Sequence, residues 1–597
     1  MTTILGIQEA HDASAALMID GVIAGAAQEE RFTGLKGDYG YPAQAVRAIL
    51  DHASVEPREI DLVALASQNW NPVLTKIKRN ANFSVADWVK EQREYWRPKL
   101  FEGREVRYYD LFRDRPDFSY DTTYPMDHLL SGYMDPAEMA GMAELRRKVV
   151  SGLLGLPPDR VRFVTHEDCH TYYAYFGSPL RGKALVLTSE GIGDYSNGTV
   201  SIFTEDGRQE IARTSENHLG HIYQYITLLL GMKPAQHEYK VMGLAPYANA
   251  KELERSYRVF RPILKVDGLN IRYDRKPPDL YFSFRDALEG HRFDGIAGGL
   301  QRFVDETLCA WVENCVKATG LSRIGFSGGV AQNIKACKAI GELDCVDEIH
   351  VCQATGDASL SIGACYYAMW EELRAADRPV DSLKPLATMY LGPEYTDAEV
   401  SAFIRDQGLE RKYRVEQGVT PGGIAGLIAG GKILARCAGR MEFGLRALGN
   451  RSILADPRRP ETVRKINEAI KFRDFWMPFT PTILAEREAD YIINPKRFPC
   501  PHMTLAFDST PLAQRDLVAA IHPGDLTVRP QILREEDNPG YYAIIKAFER
   551  ETGVGGILNT SFNLHGDPIV LGPDRALYTF EHSALDGLLL GSYLILR

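Results

Sequence analysis

Short apolar strands that run directly into glycine turns are the feature that most constrains the fold of this chain. Ala184–Thr188 is followed by Ser-Glu-Gly-Ile-Gly, and Ile324–Phe326 is followed by Ser-Gly-Gly and a helical pattern. A third such glycine is Gly356. Strands that alternate with helices predict an α/β fold. Glycine at a strand end lets the backbone approach a phosphate, so three such turns favour a nucleotide cleft over ordinary turns.

The chain is long enough to need more than one hydrophobic core. It has 597 residues, whereas single cores stop growing near ~250–300 residues. Segment 375–388 contains two prolines and no strong pattern, and is the best candidate for a linker. We therefore predict two domains, 1–380 and 389–597. The region 70–150 is rich in basic and aromatic residues, which predicts either a solvated helical cap or part of a substrate pocket.

Composition narrows the classes of function. The net charge of −10 argues against a nucleic-acid partner, which favours basic domains. The nine cysteines are scattered without CxxC pairs, as in proteins of a reducing compartment. The first residues lack the pattern of a signal peptide, and no apolar run reaches the roughly 18 residues of a membrane span. We expect a cytoplasmic enzyme with no nucleic-acid or membrane partner, and with a homodimer as one possible assembly.

A pair of histidines is the first candidate for a functional site, namely a metal site. His166 and His170 are four residues apart, so that both imidazoles can face one cation from a helix. Such spacing often arises by coincidence, but two carboxylates beside glycine turns, Glu190 and Asp357, strengthen the metal interpretation. Two imidazoles with carboxylates suit Fe, Mn or Zn rather than Ca or Mg.

Further candidates lie in the C-terminal third and near the N-terminus. Among the basic residues of segment 440–473, five are interleaved with Met, Phe, Leu and glycine: Arg440, Arg446, Arg451, Lys471 and Arg473. A charge run is usually a solvated face, but this interleaving favours an enclosed pocket in which guanidinium groups bind phosphate. Segment 559–563 supplies amides and hydroxyls that suit either a ligand or a hydrogen-bonded turn. His11 is either a structural histidine or a general base.

Together these segments resemble the O-carbamoyltransferase family, which includes the tobramycin, cephalosporin and ansamycin tailoring enzymes and the nodulation-factor carbamoyltransferases. The resemblance runs in family order over nearly the whole chain. It is carried by His11–Leu17, Glu29–Thr33, His166–His170, Lys240–Tyr247, Ser327–Asn333, Gly356–Ala364, Arg440–Ser452 and Asn559–Asn563.

The resemblance implies a fold and a reaction. The fold is α/β, with an N-terminal Kae-type domain built on an actin-like/Hsp70-like ATPase core and a smaller C-terminal domain of the YrdC type. In the family, the C-terminal domain converts carbamoyl phosphate and ATP into carbamoyl-adenylate. The intermediate moves internally to the N-terminal domain. There a divalent metal, most often expected to be Fe²⁺, helps to transfer the carbamoyl group to the hydroxyl of a small-molecule acceptor, a natural product. Mg²⁺ is a further possible ion.

Carried over position by position, the resemblance assigns roles to residues of this chain. The base that deprotonates the acceptor would be His11. The metal ligands would be His166, His170, Glu190 and Asp357. The nucleotide contacts would be Gly191, Gly193, Lys240, Gly328, Gly329 and Asn333. The residues around carbamoyl phosphate and ATP would be Arg440, Arg446, Arg451, Lys471, Arg473, Arg529, Asn559, Ser561 and Asn563.

Three departures from the family pattern bear on these roles. Glu190 stands where the family usually has aspartate, Leu445 where it usually has proline, and Met477 where it often has arginine. The first makes a ligand one methylene longer, and the second makes a turn less rigid. The third removes a cation, so Arg473 is expected to carry more of the phosphate binding.

Two other interpretations stay open from the sequence. A tRNA threonylcarbamoyl-type enzyme would share the fold class but would need a basic surface, which the charge of −10 disfavours. A non-catalytic nucleotide-binding regulator would tolerate loss of the histidines and of the C-terminal arginines. This chain retains both sets.

Overall fold

The computed structural model describes residues 2–204, 207–471 and 474–597 and divides into two compact units, 1–387 and 388–597. The division falls inside the proline-containing segment 375–388. No helix within the described ranges combines the length and the apolar character that a bilayer crossing requires. None of the nine cysteines, all of which are described, is in a disulfide.

The first unit contains two five-stranded sheets and a small hairpin. Its strands are β1 Thr3–Gln8, β2 Ser14–Ile19, β3 Val22–Gln28, β4 Leu62–Ala66, β5 Val161–Val164, β6 Ala184–Ser189, β7 Gly198–Thr204, β8 Gly207–Thr214, β9 Leu264–Asp267, β10 Asn270–Tyr273, β11 Arg323–Ser327 and β12 Glu348–Val351. The sheet orders are β3-β2-β1-β4-β5 and β8-β7-β6-β11-β12. In each sheet three strands form an antiparallel meander, and the first of these continues into two parallel neighbours. This duplicated order is that of the actin-like/Hsp70-like fold, and the predicted fold class is confirmed.

Two helices join the sheets into one layered core. The helices of the first unit are α1 Glu30–Thr33, α2 Ala43–Ala53, α3 Pro72–Lys76, α4 Arg79–Asn82, α5 Val85–Lys90, α6 Arg97–Phe101, α7 Pro136–Leu154, α8 His166–Phe176, α9 Leu219–Leu229, α10 Glu238–Leu244, α11 Ala250–Phe260, α12 Leu280–Ala287, α13 Phe293–Thr319, α14 Ile334–Glu342 and α15 Leu360–Ala375. α15 packs on the first sheet, α8 packs on the second, and the two helices pack against each other. Gly363 permits this approach, because a Cβ there would lie 2.0 Å from the carbonyl oxygen of Cys169.

The 70–150 region, which we call the insertion, supplies most of an aromatic core that it shares with α9 and α12. Helices α3 to α7 and a π-helical stretch, Glu91–Trp96, bury aromatic residues that include Trp70, Trp88 and Tyr108. Ala10 packs against the same core from the loop after β1. The insertion therefore lies directly against the segment that carries His11.

The second unit is also α/β. Its strands are β13 Arg414–Gln417, β14 Leu434–Cys437, β15 Arg451–Ala455, β16 Thr480–Leu484, β17 Ile492–Ile493, β18 Phe507–Ser509, β19 Thr527–Val528, β20 Gln531–Leu533, β21 Gly556–Ser561, β22 Gly587–Leu590 and β23 Tyr593–Leu596. Its helices are α16 Asp397–Asp406, α17 Pro421–Ala429, α18 Pro460–Ile466, α19 Glu488–Tyr491, α20 Pro511–Asp516, α21 Pro539–Thr552 and α22 Pro573–Glu581. Eight strands form a mixed sheet, β13-β23-β22-β14-β15-β21-β16-β20, and β17-β18-β19 form a small one. The likeness to the YrdC type stays a prediction.

Candidate active site

The four predicted metal ligands come together in the first unit. α8 begins at His166 and carries His170 one turn later, Glu190 follows β6 directly, and Asp357 lies just before α15. One ligand atom from each of the four residues lies within 4.8 Å of the other three. We call this group the His–carboxylate cluster. Its imidazoles are almost fully buried, and the side chain of Asp357 is 12% exposed.

Two neighbouring strand ends position Glu190. β6 and β11 are parallel partners, so their carboxyl ends lie at the same edge of the sheet. The turn after β11 brings the N–H of Gly329 within 2.8 Å of both carboxylate oxygens of Glu190. Gly328 has a φ of 103°, and a Cβ there would lie 2.4 Å from Oε1 of Glu190. This glycine turn therefore makes room for a carboxylate of the cluster.

Serine hydroxyls orient the two imidazoles. Nδ1 of His166 lies 3.0 Å from Oγ of Ser67, and Nδ1 of His170 lies 3.2 Å from Oγ of Ser327. Both Nε2 atoms are buried and have no hydrogen-bond partner among the described residues. Oε1 of Glu190 is only 2.8 Å from Nε2 of His170, but this contact lacks the alignment of a hydrogen bond.

This geometry fits a bound cation. Oδ1 of Asp357 lies 3.7 Å from Nε2 of His166 and 3.9 Å from Nε2 of His170. Buried polar atoms in proteins almost always have partners, and facing lone pairs of nitrogen and oxygen repel unless a proton or cation lies between them. Two imidazoles and two carboxylates suit Fe, Mn or Zn. The residues present therefore fit the predicted divalent metal, whose identity stays a prediction.

His11 lies at the border of the cluster. Its side chain is 35% exposed, with Nε2 at 3.0 Å from Oδ2 of Asp357 and Nδ1 at 3.2 Å from Oδ2 of Asp12. Burial opposes charge on the imidazole, but Asp357 and Asp12 raise the pKa of His11 well above its usual value. Burial also opposes charge on Asp357, yet His11 and His166 hold the pKa of that carboxyl below its usual range. The two side chains therefore stabilise each other's charged form.

The predicted nucleotide contacts occupy three places in the first unit. The two turns at the cluster contain Gly191, Gly193, Gly328 and Gly329. Lys240 is buried on α10. The side-chain oxygen of Asn333 accepts the N–H of Ala336 at the start of α14, and its amide donates to Oε1 of Gln301 at 3.1 Å. A role in nucleotide binding stays a prediction for all six residues.

A polar network around Asn333 was missed by the sequence analysis. The side-chain amide of Gln301 donates to Oδ1 of Asp305 at 2.7 Å, and its oxygen accepts the hydroxyl of Tyr223 at 3.0 Å. Burial raises the pKa of Asp305 to about 6. Gln301 and Asp305 are four residues apart on α13, which predicts a common helix face and nothing more specific.

In the second unit, three predicted site residues form one contact group. The buried ammonium of Lys471 donates to Oδ1 of Asn563 at 2.5 Å and to Oγ of Ser561 at 3.2 Å. The hydroxyl of Ser561 also donates to Oδ1 of Asn563 at 2.7 Å. Nearby in sequence, the buried amide of Asn559 donates to the carbonyl of Ala447 at 3.0 Å. Lys471 is thus tied to the segment after β21.

The predicted arginines of the second unit differ in their surroundings. Arg451 is buried and donates to backbone carbonyls at 2.9 and 3.1 Å. Arg440 donates to two other carbonyls at 2.7 and 3.2 Å. Arg446 and Arg529 are half-buried, and Arg473 lies outside the described residues. A phosphate contact stays a prediction for all five.

Glu442 is a second residue that the sequence analysis missed. Its Oε1 accepts the N–H groups of Leu448 and Asn450 at 2.8 Å each, and that of Arg451 at 3.1 Å. The buried carboxylate therefore shapes the loop that carries Arg446. No sequence motif distinguishes such a glutamate from an exposed one.

The duplicated sheets and the His–carboxylate cluster define an actin-like domain with a candidate metal centre, in one chain with a second α/β domain. The particular family follows from two matches. The family model described as carbamoyltransferase N-terminus matches residues 3–366, and that described as carbamoyltransferase C-terminus matches residues 425–597. The chain belongs to the carbamoyltransferase family and is a transferase enzyme, so the predicted resemblance is confirmed.

Relatives extend over most of the chain. The uncharacterized Synechocystis protein sll1178 is 30% identical over 100% of this chain and 97% of its own length. The nodulation protein NolNO of Sinorhizobium fredii is 28% identical over 98% of this chain and 79% of its own. The 3'-hydroxymethylcephem-O-carbamoyltransferase of Amycolatopsis lactamdurans is 25% identical over 68% of this chain and 75% of its own. Among solved structures, full-length HypF in its phosphate- and nucleotide-bound form has a TM-score of 0.35 at 10% identity, covering 63% of this chain and 56% of HypF.

Proposed function

We propose that this chain is an ATP-dependent O-carbamoyltransferase that forms carbamoyl-adenylate and passes the carbamoyl group to the hydroxyl of a small natural-product acceptor. Membership of the family supports the group transferred. The observation that carries the proposal is the geometry of the first unit. His11, the proposed base, contacts a buried cluster whose nitrogen and oxygen atoms fit a divalent cation.

Adenylation answers a chemical difficulty. A carbamoyl carbon is a poor electrophile because the nitrogen lone pair delocalises into the carbonyl, and AMP is a good leaving group. Water converts carbamoyl phosphate into carbamate and phosphate, and a carbamate oxygen then attacks the α-phosphorus of ATP and displaces pyrophosphate. The acceptor oxygen next attacks the carbamoyl carbon and displaces AMP. The products to measure are therefore phosphate, pyrophosphate, AMP and the carbamate ester.

The neutral form of His11 takes the hydroxyl proton while the new C–O bond forms. Asp357 and Asp12 raise the pKa of His11, and the positive charge of an ion bound in the cluster would oppose that shift and favour the neutral form. Asp12 and Asp357, at 3.2 and 3.0 Å from its two nitrogens, stabilise the imidazolium that results. A divalent ion, for which we propose Fe²⁺, is held by His166, His170, Glu190 and Asp357. Such an ion supplies positive charge that stabilises negative charge on a phosphate or carbonyl oxygen.

The second unit holds the donor and ATP. Guanidinium groups bind phosphate oxygens in pairs, and Arg446 is half-buried in the loop that Glu442 shapes. Oδ1 of Asn559 is buried and has no hydrogen-bond partner among the described residues, so that it suits the N–H of a carbamoyl group. We assign phosphate and donor contacts to Arg440, Arg446, Arg451, Lys471, Arg473, Arg529, Asn559, Ser561 and Asn563.

The insertion helps to select the acceptor. Ala10, the neighbour of His11, packs against its aromatic core, so the proposed base lies beside it. This favours the pocket over the solvated cap among the two interpretations of residues 70–150. The name of the Amycolatopsis relative specifies a hydroxymethyl group on its acceptor, and compounds with such a group are the first acceptors to test.

The test is product formation by the full-length chain with carbamoyl phosphate, ATP, Mg²⁺ and Fe²⁺. We expect pyrophosphate to depend on carbamoyl phosphate, and AMP and a product heavier by one carbamoyl group to depend on the acceptor as well. Omission of carbamoyl phosphate is the control for simple ATP hydrolysis. If neither AMP nor pyrophosphate forms with both substrates present, the proposal is wrong.

A further inference from the structure

Arg146 on α7 is a fully buried arginine that the proposed reaction does not use. Its Nε lies 2.7 Å from Oε2 of Glu9, and neither side chain has any exposed surface. Its terminal nitrogens donate to the carbonyls of Ser67 at 2.7 Å and of Ala66 at 3.1 Å. The guanidinium carbon also lies 4.2 Å from the ring centroid of Trp70. One side chain of the insertion thus binds the ends of both β1 and β4.

Glu9 connects Arg146 to the loop of the proposed base. Glu9 directly follows β1 and lies two residues before His11. Its other carboxylate oxygen accepts the hydroxyl of Tyr124, a second residue of the insertion. Its backbone carbonyl accepts the N–H of Gly40 at 2.8 Å. The start of the His11 loop is therefore fixed from the insertion.

Ser67 connects Arg146 to a proposed metal ligand. Ser67 follows β4 with a φ of 60°, a conformation that residues other than glycine seldom adopt. Its N–H donates to the carbonyl of Val164 at 2.9 Å, and its hydroxyl contacts Nδ1 of His166. Arg146 binds the carbonyl of this same residue, so it helps to hold the strained backbone from which the hydroxyl extends.

We infer that Arg146 is a positioning residue of the carbamoyl-transfer site: one guanidinium holds both the loop of His11 and the serine that orients His166. The inference rests on the proposed metal role of His166. Loss of a group that orients a metal-binding histidine typically weakens metal binding by roughly 10–100-fold. We expect an effect of this size although Arg146 touches neither the metal ligands nor a substrate.

The variants must separate positioning from stability. Loss of Arg146 alone would leave the carboxylate of Glu9 buried and unpaired, which destabilises any fold. The main variant is therefore Glu9→Gln/Arg146→Met, which removes both charges and keeps an oxygen for Tyr124. Arg146→Lys keeps the charge but loses the planar fork. The matched control is Arg487→Met, which breaks an ion pair with Glu549 in the second unit.

The readouts are the cobalt(II) affinity of the full-length chain, the visible spectrum of the cobalt form, and the thermal midpoint of the same sample. For Glu9→Gln/Arg146→Met we expect a midpoint near that of the wild type, a roughly 10–100-fold weaker cobalt affinity and an altered spectrum. Arg146→Lys should also bind cobalt more weakly. Arg487→Met should lower the midpoint and bind cobalt as the wild type does.

Failure of the inference and failure of the metal assignment give different results. A folded double variant with wild-type cobalt affinity and spectrum overturns the positioning role. If the double variant does not fold, the same result for Arg146→Lys overturns it. If the wild type does not bind cobalt, or if His170→Ala binds it equally well, the proposed metal role is wrong. The inference about Arg146 then falls with it, because it assumes that His166 is a metal ligand.

Discussion

At the residue scale, the two nitrogens of each cluster imidazole have different partners. Ser67 and Ser327 contact Nδ1 of His166 and His170, and Nε2 is left to face the carboxylates. An imidazole whose Nδ1–H donates to a hydroxyl presents a lone pair at Nε2, which is the form that binds metals. Where the serine hydroxyls accept from Nδ1–H, they favour the tautomer that a metal ion requires.

We predict that Ser327→Ala weakens cobalt(II) binding by roughly 10–100-fold, because His170 loses the group that fixes its orientation. The control is Ser256→Ala, since Oγ of Ser256 lies 2.9 Å from Nδ1 of His291, a histidine outside the cluster. Titration of both variants with cobalt checks the prediction. Equal affinities for the two variants would contradict it.

A second prediction at this scale concerns pH and Asp305. Burial raises its pKa to about 6, above the ~3.9 of an unfolded aspartate. The stability that its protonated form contributes is complete below pH ~4 and is lost as pH rises through about 6. We expect Asp305→Asn, which retains an acceptor for Gln301, to be more stable than the wild type by about 1–3 kcal/mol at pH 8. The gain should vanish near pH 4, as thermal unfolding at both pH values would show.

At the scale of elements, the turn after β11 supports Glu190 in two ways. It donates the N–H of Gly329 to both oxygens of Glu190, and at Gly328 it leaves space for that carboxylate. The parallel pairing of β6 with β11 makes this possible, because it brings both strand ends to one edge. The sequence predicts that this glycine turn binds a phosphate, and in the structure the turn also holds Glu190, a proposed metal ligand.

We predict that Gly328→Ala displaces Glu190 and lowers cobalt affinity at least tenfold, roughly the effect of losing one orienting group. Gly320→Ala is the matched control, because Gly320 also has a positive φ, of 69°, but a Cβ added there would meet no atom within 4 Å. It should lower stability by about 1 kcal/mol and leave cobalt binding unchanged. Similar cobalt affinities for the two variants would count against the role of Gly328.

Elements with strong local signals were predictable from the sequence. The two histidines lie on one helix, α8, as their spacing of four residues predicts. Between α5 and α6 lies the π-helical stretch Glu91–Trp96, which the sequence analysis did not predict. Propensity and periodicity do not distinguish i→i+4 from i→i+5 bonding, and the aromatic packing of the insertion is decided by tertiary contacts.

At the scale of the whole molecule, the proposal places two half-reactions in two units. The proposed base and the proposed metal ligands lie in residues 1–387, and the proposed donor-binding residues lie in 388–597. The sequence predicts which half-reaction belongs to which unit, because the motifs occur in the same order along the chain as in the family that it resembles. Contacts such as Arg146 with Glu9, 137 residues apart, carry no local signal, so sequence reasoning had no means of finding them.

This division predicts that two alanine variants block different products. His11→Ala should reduce carbamoyl transfer by roughly 10²–10⁴-fold and leave pyrophosphate release in the first turnover intact. Arg446→Ala should suppress pyrophosphate release, because the donor or ATP loses a cationic contact. Pyrophosphate and carbamoylated product, measured in the same single-turnover samples, check both. Loss of pyrophosphate release in His11→Ala, or its persistence in Arg446→Ala, would contradict the division.

The contacts of Arg146 also limit how this enzyme could be re-engineered for a new acceptor. If the insertion selects the acceptor as proposed, exchange of residues 70–150 for the corresponding stretch of a relative would be the way to change the specificity. That stretch includes both Arg146 and Tyr124, which contact the two carboxylate oxygens of Glu9. A chimera without an arginine and a tyrosine at these positions would leave the carboxylate of Glu9 buried and unpaired. Glu9 must therefore be exchanged together with the segment.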